Sequence, residues 1–433
     1  MKSEKTIILG GGLTGISLAY HLKQKHNYQL LERESRLGGL CRTDMINGFY
    51  FDKTGHWLHL RNRYTRTLVK RLLGDELITV ERKSRIYSKG VYTPYPFQAH
   101  TYGLPSAVVK ECLLGFIEAK FGKNPKEKEP DNFEDWIYHH FGKGIAKHFM
   151  IPYNKKLFGI HPRYITSVWC DRFVPKPTLE EVVNGAVGDN EGKLGYNVRF
   201  VYPKHGGIET LIKALSVDLP SINLNLSPKR IDYKKKELIL TNGTKAAYQN
   251  LVSTIPLPEL LKLMPSIPLS VKEAAKKLKS ASVFYFNLGL THHVDHDYHW
   301  LYIPEEKYPY YRIGFFSHAV PSLAPPNKSS LYVEVSHRRP IKSEQLIPKV
   351  YQGLMEKGII RSREDILVED IQDIKYGYVI FDNNYYSSTS TIFSFLSEHE
   401  IYPAGRYGAW KYAAMEDAIL EGKRLAEQIQ NRK

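Results

Sequence analysis

An apolar run, Thr6-Ile-Ile-Leu9, breaks at once into Gly10-Gly11-Gly12-Leu13-Thr14-Gly15, so Gly10, Gly12 and Gly15 stand at G-x-G-x-x-G spacing behind a strand-like segment. A helical pattern follows in Ile16, Leu18, Ala19 and Leu22, and a second apolar run closes on Glu32, twenty-two residues beyond Gly10. This order constrains the fold more than any other feature. In a βαβ unit of the dinucleotide-binding kind, the first glycine permits the tight strand-to-helix turn and the second lets the backbone approach a pyrophosphate. The third packs helix on strand, and the helix N-terminus faces the phosphates. Glu32 then accepts hydrogen bonds from an adenosine ribose. The apolar strand, the helical pattern and the distance to the acid separate this reading from a glycine turn in some other βαβ unit. The cofactor side of the site therefore includes Gly10, Gly12, Leu13, Thr14, Gly15, Glu32 and its neighbour Arg33.

A second glycine pair, Arg36-Leu37-Gly38-Gly39-Leu40-Cys41-Arg42, follows the acid within a few residues. In flavoproteins with this fold such a pair carries the chain back past the pyrophosphate, so FAD fits better than NAD and Gly39 and Leu40 join the cofactor-binding set. The first strand starts at Thr6, which leaves no room for a signal peptide. Cys41, Cys112 and Cys170 lack C-x-x-C spacing and suggest neither a disulfide framework nor a zinc site. A reducing cytoplasm is the simplest location.

At 433 residues the chain has room for two or three domains, and 42% hydrophobic with 12% aromatic residues is ordinary for a globular protein. The most apolar stretch, Leu251 to Leu269, is broken by Pro256, Pro258, Pro265 and Pro268, so no transmembrane helix is expected. The net charge of +16 favours an anionic partner: nucleic acid, a membrane surface or a phosphorylated small molecule. The basic residues are scattered, however, and the densest run, Lys120 to Lys128, is interleaved with Gly122, Pro125 and Glu127. No basic helix or nucleic-acid module appears, which argues against nucleic acid.

Three kinds of territory follow one another. Residues 104–150 carry helical periodicity split by a Gly/Lys/Pro-rich loop at 122–131, a helical insertion. Residues 223–254 alternate as short strands around Asn242-Gly243 and end in Leu251-Val-Ser-Thr-Ile255, a strand suited to rejoin the dinucleotide fold. Strands dominate again from Val283 to Tyr378, and an amphipathic helix, Met415 to Gln430, closes the chain. The expected class is α/β: a Rossmann-like FAD-binding domain interleaved with a helical insertion domain and an antiparallel β-sheet domain. Its expected pieces are 1–90, 201–265 and 378–433 for FAD binding, 91–170 for the helical, nucleotide-side insertion, and 171–200 with 266–377 for the sheet domain.

Several segments are far more specific than the glycines. They are Thr93-Pro-Tyr-Pro-Phe-Gln98; Asn132-Phe-Glu-Asp-Trp-Ile137 through Gly142 to Pro152-Tyr-Asn154; Trp169-Cys-Asp-Arg172; Trp300-Leu-Tyr302 through Pro309-Tyr-Tyr-Arg312; and Gly405-Arg-Tyr-Gly-Ala-Trp-Lys-Tyr412. Together, and in this order, they resemble the UDP-galactopyranose mutases, particularly the eukaryotic type, within the FAD-dependent amine oxidase and protoporphyrinogen oxidase superfamily. The resemblance runs from the first strand to about Glu421.

It implies an isomerase in which reduced FAD is a nucleophile: N5 attacks the anomeric carbon of a UDP-sugar and displaces UDP. The sugar ring is remade as a furanose, with no net redox change. The substrate implied is a UDP-sugar, most simply UDP-galactopyranose on the way to a surface polysaccharide, and the reading is compatible with NAD(P)H as reductant and with a homo-oligomer. Arg172 and Arg312 match the family's diphosphate- and sugar-facing arginines, and Tyr302, Tyr378 and Tyr412 its phosphate-contacting tyrosines. Tyr95, Phe97, Gln98 and Asn154 match the uridine side, Pro94 and Pro96 stiffening their loop. Asn197 matches an amide facing the sugar and Phe158 the mobile-loop tryptophan. On the flavin side Gly55-His56 matches the segment whose backbone responds to reduction, Arg406 an arginine near the flavin, and Met415 the start of the closing helix.

This chain departs from the family at several of these positions. The glycine pair before the histidine is Thr54-Gly55, a uridine-side aromatic is His59, and the Asn-Gln pair after the last tyrosine is Met415-Glu416. Two other functions share parts of the pattern. An oxidoreductase of the protoporphyrinogen oxidase or amine oxidase type would share the FAD fold but not need Arg172 and Arg312 together, and a nucleotide-sugar-binding protein would keep the pocket without turnover. His292, His293, His296 and His299, with Asp295 and Asp297, suit neither a helix face nor a closed zinc site and read as a solvated loop.

Overall fold

The computed structural model describes residues 5–22, 26–122, 130–188 and 198–431. Its first sheet is the nucleotide fold. Thr6–Leu9 lies at the centre and pairs in parallel with Tyr28–Leu31 on one side and with Asn250–Ser253 on the other. Ile222–Asn223 and Ile401–Pro403 add the two edges, also in parallel. Strands from residues 6 to 403 therefore share one sheet, the interleaving expected from Leu251–Ile255. All four residues of Thr6–Leu9 are buried, as a central parallel strand covered on both faces requires.

Helices Leu13–Leu22 and Met415–Gln430 pack together beside this sheet, with Ser17 Oγ donating to the Ile419 carbonyl at 2.7 Å. The chain's last helix thus closes on its first.

The second sheet has the order Ile366–Val379, Ser280–Leu290, Ser330–His337, Arg312–Phe315, Trp300–Tyr302, Ser84–Ser88, Val91–Pro94. Its pairings are antiparallel except for Trp300–Tyr302 with Ser84–Ser88, which run parallel. The early hairpin Ser84–Pro94 is therefore spliced onto a sheet built from residues 280–379. Ser106–Phe121 and Phe133–Ile145 form the helical insertion, continued by Ile151–Phe158, and bury Phe133, Trp136, Ile137 and Phe141. Pro228–Asp232, Glu237–Leu240 and Lys245–Ala247 make a small antiparallel sheet around the Asn242-Gly243 turn. No helix among the described residues is long and apolar enough to cross a membrane.

Candidate active site

Gly10 turns with φ +98°, a conformation that L side chains rarely adopt. A Cβ on Gly15 would lie 2.1 Å from the Gly10 carbonyl oxygen, so only glycine lets the first helix start this close to the turn. Gly12 differs: a Cβ there would meet nothing within 4 Å, because the space above it is open. That open cradle is bounded by Gly39, which comes within 3.2 Å of the Gly12 Cα when given a Cβ, and by the Gly38 amide donating to Gly11 O at 2.8 Å. Glu32 is 7% exposed, and its two carboxylate oxygens accept the amides of Gly11 at 2.7 Å and Glu34 at 2.9 Å, each keeping a lone pair for a further donor. Leu13 and Thr14 open the helix at the cradle, and a Cβ on Gly405 would sit 2.7 Å from Thr14 Oγ1, which brings the C-terminal segment to the same place. Leu40 lies in the turn after Gly39. Arg33 points away into solvent and pairs with Glu34.

Downstream of the cradle lies Thr54-Gly55-His56. Thr54 holds φ +73°, a glycine-like conformation that costs a β-branched residue free energy. His56 Nδ1 is 3.3 Å from the Thr54 carbonyl oxygen, and a Cβ on Gly55 would lie 2.3 Å from the Tyr332 hydroxyl. Burial lowers the His56 pKa to about 4, partly offset by the Thr54 carbonyl and reinforced by Arg406 and Arg312, so the imidazole is neutral at pH 7.

Arg312, the first residue of its strand, lies directly opposite Glu334 and grips it with both Nε and Nη2, the latter at 2.7 Å from Oε1. Burial opposes the charge on Arg312, but Glu334 outweighs it and pushes the pKa further up. Tyr302 ends the adjacent strand opposite Arg312. Tyr378 and Tyr412 stack at 6.5 Å and 13°, with the Arg406 guanidinium 5.5 Å and 4.5 Å from their ring centres. Two Arg406 donors are spent on the carbonyls of Ala413 and Gly377, at 2.9 and 3.2 Å, which fixes the guanidinium under both rings. Phe158 meets Tyr378 edge-on at 6.0 Å, and Tyr95 lies 4.9 Å from Tyr302. The structure therefore brings Arg312, Arg406, Tyr95, Tyr302, Tyr378, Tyr412 and Phe158 into one neighbourhood. The short helix Cys170–Phe173, which carries Arg172, adjoins it through Phe173, 4.6 Å from Tyr412. The Arg172 side chain and the whole of Asn197 lie outside the described residues.

Other expected site residues are engaged within the protein. Phe97 is fully buried and stacked on Phe149 at 5.0 Å. Gln98 is 2% exposed and donates to the Pro175 carbonyl at 2.8 Å, and Asn154 Nδ2 bonds back to Met150 O at 2.7 Å within its own helix. Both amide nitrogens thus donate to protein backbone, while Gln98 Oε1 is buried without a hydrogen-bond partner among the described residues. Phe158 ends the helix Ile151–Phe158 at 3% exposure, pinned against Trp169. Met415 starts the last helix and packs on the cluster of Trp57 and Leu13, while Glu416 accepts the amides of Arg61 and Asn62, both at 2.8 Å, and thereby caps the helix Arg63–Leu73. The histidine segment is a loop, but His299 is 5% exposed and His296 stacks on Tyr298 at 4.4 Å, so part of it is packed rather than solvated. No group able to hold a metal exists among the described residues.

Sequence reasoning missed Glu334, Tyr153 and Tyr311. Tyr153 lies 5.6 Å from Tyr302 and 6.3 Å from Tyr311, whose hydroxyl is 3.4 Å from that of Tyr378. An acid inside the apolar run Leu331–Val335 was the available signal for Glu334.

The parallel sheet, the open glycine cradle and the buried acid Glu32 beside it define a dinucleotide-binding flavoprotein. The chain belongs to the flavin containing amine oxidoreductase family, whose model matches residues 13–430, and its cofactor is FAD. The crystal structure of reduced UDP-galactopyranose mutase is similar at a TM-score of 0.93 and 26% identity, over 100% of this chain and 95% of that one. Putrescine oxidase bound to putrescine shares the fold at a TM-score of 0.69 and 14% identity, over 99% of each chain. Coproporphyrinogen III oxidase of Mycobacterium tuberculosis is 22% identical over 313 residues, 65% of each protein. A Dictyostelium discoideum protein described as a flavin-containing monoamine oxidase A is 33% identical over 67 residues, 15% of each. The matches thus span 15% and 65% of these curated relatives' lengths.

Proposed function

We propose that the protein is a flavin-dependent UDP-hexopyranose/furanose mutase, an isomerase converting UDP-galactopyranose to UDP-galactofuranose in the cytoplasm for polysaccharide synthesis. The observation that carries this reading is the gathering of a paired arginine and three tyrosines in one neighbourhood, Arg312 opposite Tyr302 and within electrostatic reach of Tyr378, which stacks on Tyr412. It is supported by the likeness along the whole chain to reduced UDP-galactopyranose mutase. A departing diphosphate needs fixed donors. Arg312 supplies charge-assisted ones from the edge not used by Glu334, and the tyrosine hydroxyls add neutral ones. Reduced FAD, when bound, supplies a nucleophilic N5 at the anomeric carbon. Gly10, Gly12, Gly15, Gly39 and Glu32 would hold its ADP half, with Gly55 and His56 on the flavin side. Neutral His56 would neither attract the departing diphosphate nor compete with Arg312 for it. The stacked pair Tyr378 and Tyr412 excludes water from the sugar's reacting face.

A second reading, an FAD-dependent oxidoreductase of the amine oxidase or protoporphyrinogen oxidase type, is favoured by the family's description. One experiment separates them: dithionite-reduced holoenzyme is mixed with UDP-galactofuranose without oxygen and the nucleotide sugars are resolved by chromatography. The mutase reading expects many turnovers per flavin with no reductant consumed. No conversion under these conditions, with hydrogen peroxide formed in proportion to product when an amine or porphyrinogen is oxidised in air, would establish the oxidoreductase instead.

A further inference from the structure

The turn that joins Tyr302 to Arg312 is held by two lysines from two different helices, both outside the site. Lys156 belongs to the helix Ile151–Phe158, and its Nζ donates to the carbonyls of Ile303 at 2.8 Å and Glu305 at 2.9 Å. The same helix carries Tyr153, whose ring touches both Tyr302 and Tyr311, one at each end of the turn. Lys357, at the end of the helix Ser343–Glu356, places its Nζ 3.1 Å from the ring centre of Tyr308, 4.5 Å from Tyr87 and 5.6 Å from Tyr310. It is 8% exposed. The turn therefore takes its shape from two lysine side chains drawn in against the protein, Lys156 part-buried and Lys357 buried.

We propose that Lys156 is a positioning residue for the substrate site: by tying Ile303 and Glu305 to the helix of Tyr153, it sets where Tyr302 and Arg312 stand toward the diphosphate. Lys357 braces the same turn through the rings of Tyr308 and Tyr310. This rests on the mutase reading only for the identity of the diphosphate.

The electrostatics give the tie a pH signature. Burial lowers the Lys156 pKa to about 7, helped by Lys357 and opposed by Glu305 and Glu306; Lys155 on its own helix is paired to Glu306. Lys357 is likewise lowered to about 7 by burial, opposed by Glu356 and Glu305 and helped by Lys307. An opened turn returns Lys156 to water and to an ordinary lysine pKa. The closed state then binds fewer protons, so closure gains on opening as pH rises above about 7, by up to about tenfold per pH unit for each lysine released.

The test uses the FAD-loaded full chain and its Lys156→Met and Lys156→Arg variants. Hydrogen exchange of the 303–311 amides is measured from pH 7 to 9, corrected for intrinsic rates, and UDP binding to the reduced protein is titrated by calorimetry. In the wild type, protection of 303–311 should climb with pH. Lys156→Met should lower that protection and weaken UDP about tenfold, the loss of its two hydrogen bonds to the turn. Lys156→Arg, which stays charged, should make the climb shallower and leave only the share of Lys357. Unchanged protection and an unchanged profile in both variants would overturn the tie, and loosened amides with full UDP affinity would overturn the positioning role. A wild type that binds no UDP, while the exchange results stand, would overturn the mutase reading instead.

Discussion

Arg312 and Glu334 sit directly across from each other on neighbouring antiparallel strands and join through both carboxylate oxygens, with Glu334 only 1% exposed. The pair is the wall of the candidate site and part of the sheet's interior at once. Arg312→Ala leaves a carboxylate buried without a partner, so it should cost about 3–5 kcal/mol of stability in addition to UDP affinity. Replacing both, Arg312→Met with Glu334→Leu, should cost much less stability and just as much affinity. Urea unfolding and UDP calorimetry on the two variants check this. If Arg312→Ala unfolds like the wild type, the pair does not carry the weight assigned to it.

The glycine cradle separates folding from cofactor binding. Gly12→Val puts a side chain into open space, so the protein should purify without the yellow absorbance of FAD yet melt at the midpoint of flavin-stripped wild type. Gly15→Ala instead drives a Cβ to 2.1 Å from Gly10 O and should lower both flavin content and stability. Flavin-to-protein absorbance ratios and thermal melts distinguish the two. A yellow Gly12→Val protein would move the pyrophosphate elsewhere.

Thr54 is a departure from the mutase sequence pattern with a visible physical cost. At φ +73° a β-branched side chain is strained, and Thr54→Gly should raise stability by about 1 kcal/mol, since relief of 1–2 kcal/mol is partly offset by the entropy glycine gains when unfolded. A melt of the holoenzyme reads the change. A lower midpoint for Thr54→Gly would mean that the threonine side chain contributes contacts that outweigh its backbone strain.

The reach of the sequence differed between fold and site for a physical reason. Periodicity and glycine spacing are local, so the central strand Thr6–Leu9, the returning strand Asn250–Ser253 and the helix Met415–Gln430 were all legible before any coordinates. Which way a side chain faces inside a loop is not local. Phe97 and Gln98 lie in a motif with the right residue types, yet the turn at Pro96 sends them into the helical core, against Phe149 and the Pro175 carbonyl. Glu416 looked like an altered flavin-side residue, and its actual partners are amides 354 and 355 positions away. Lys156 carries no sequence signal at all, because its role depends on a turn about 150 residues downstream.

The last prediction concerns the carboxyl group beneath the flavin-side loop. Asp52, 1% exposed, accepts hydrogen bonds from Thr43 Oγ1 at 2.6 Å, Tyr202 OH at 2.5 Å and the Ile208 amide at 3.2 Å. Burial nevertheless raises its pKa to about 7; these three donors oppose the rise and nearby Glu209 adds to it. An acid whose pKa is higher in the folded state binds its proton more tightly there. Its contribution is fully present below the ordinary aspartate pKa of about 4 and is lost as pH rises to about 7, a change on the order of 4 kcal/mol. Asp52→Asn cannot ionise, so the stability difference between wild type and variant should shift by about that amount in the variant's favour from pH 4 to pH 7. Urea unfolding of both proteins at half-unit steps measures it, the difference cancelling the other carboxylates that titrate in the same window. A difference that stays constant over this range would mean that Asp52 is ionised throughout, held by Thr43, Tyr202 and Ile208 strongly enough to overcome its burial.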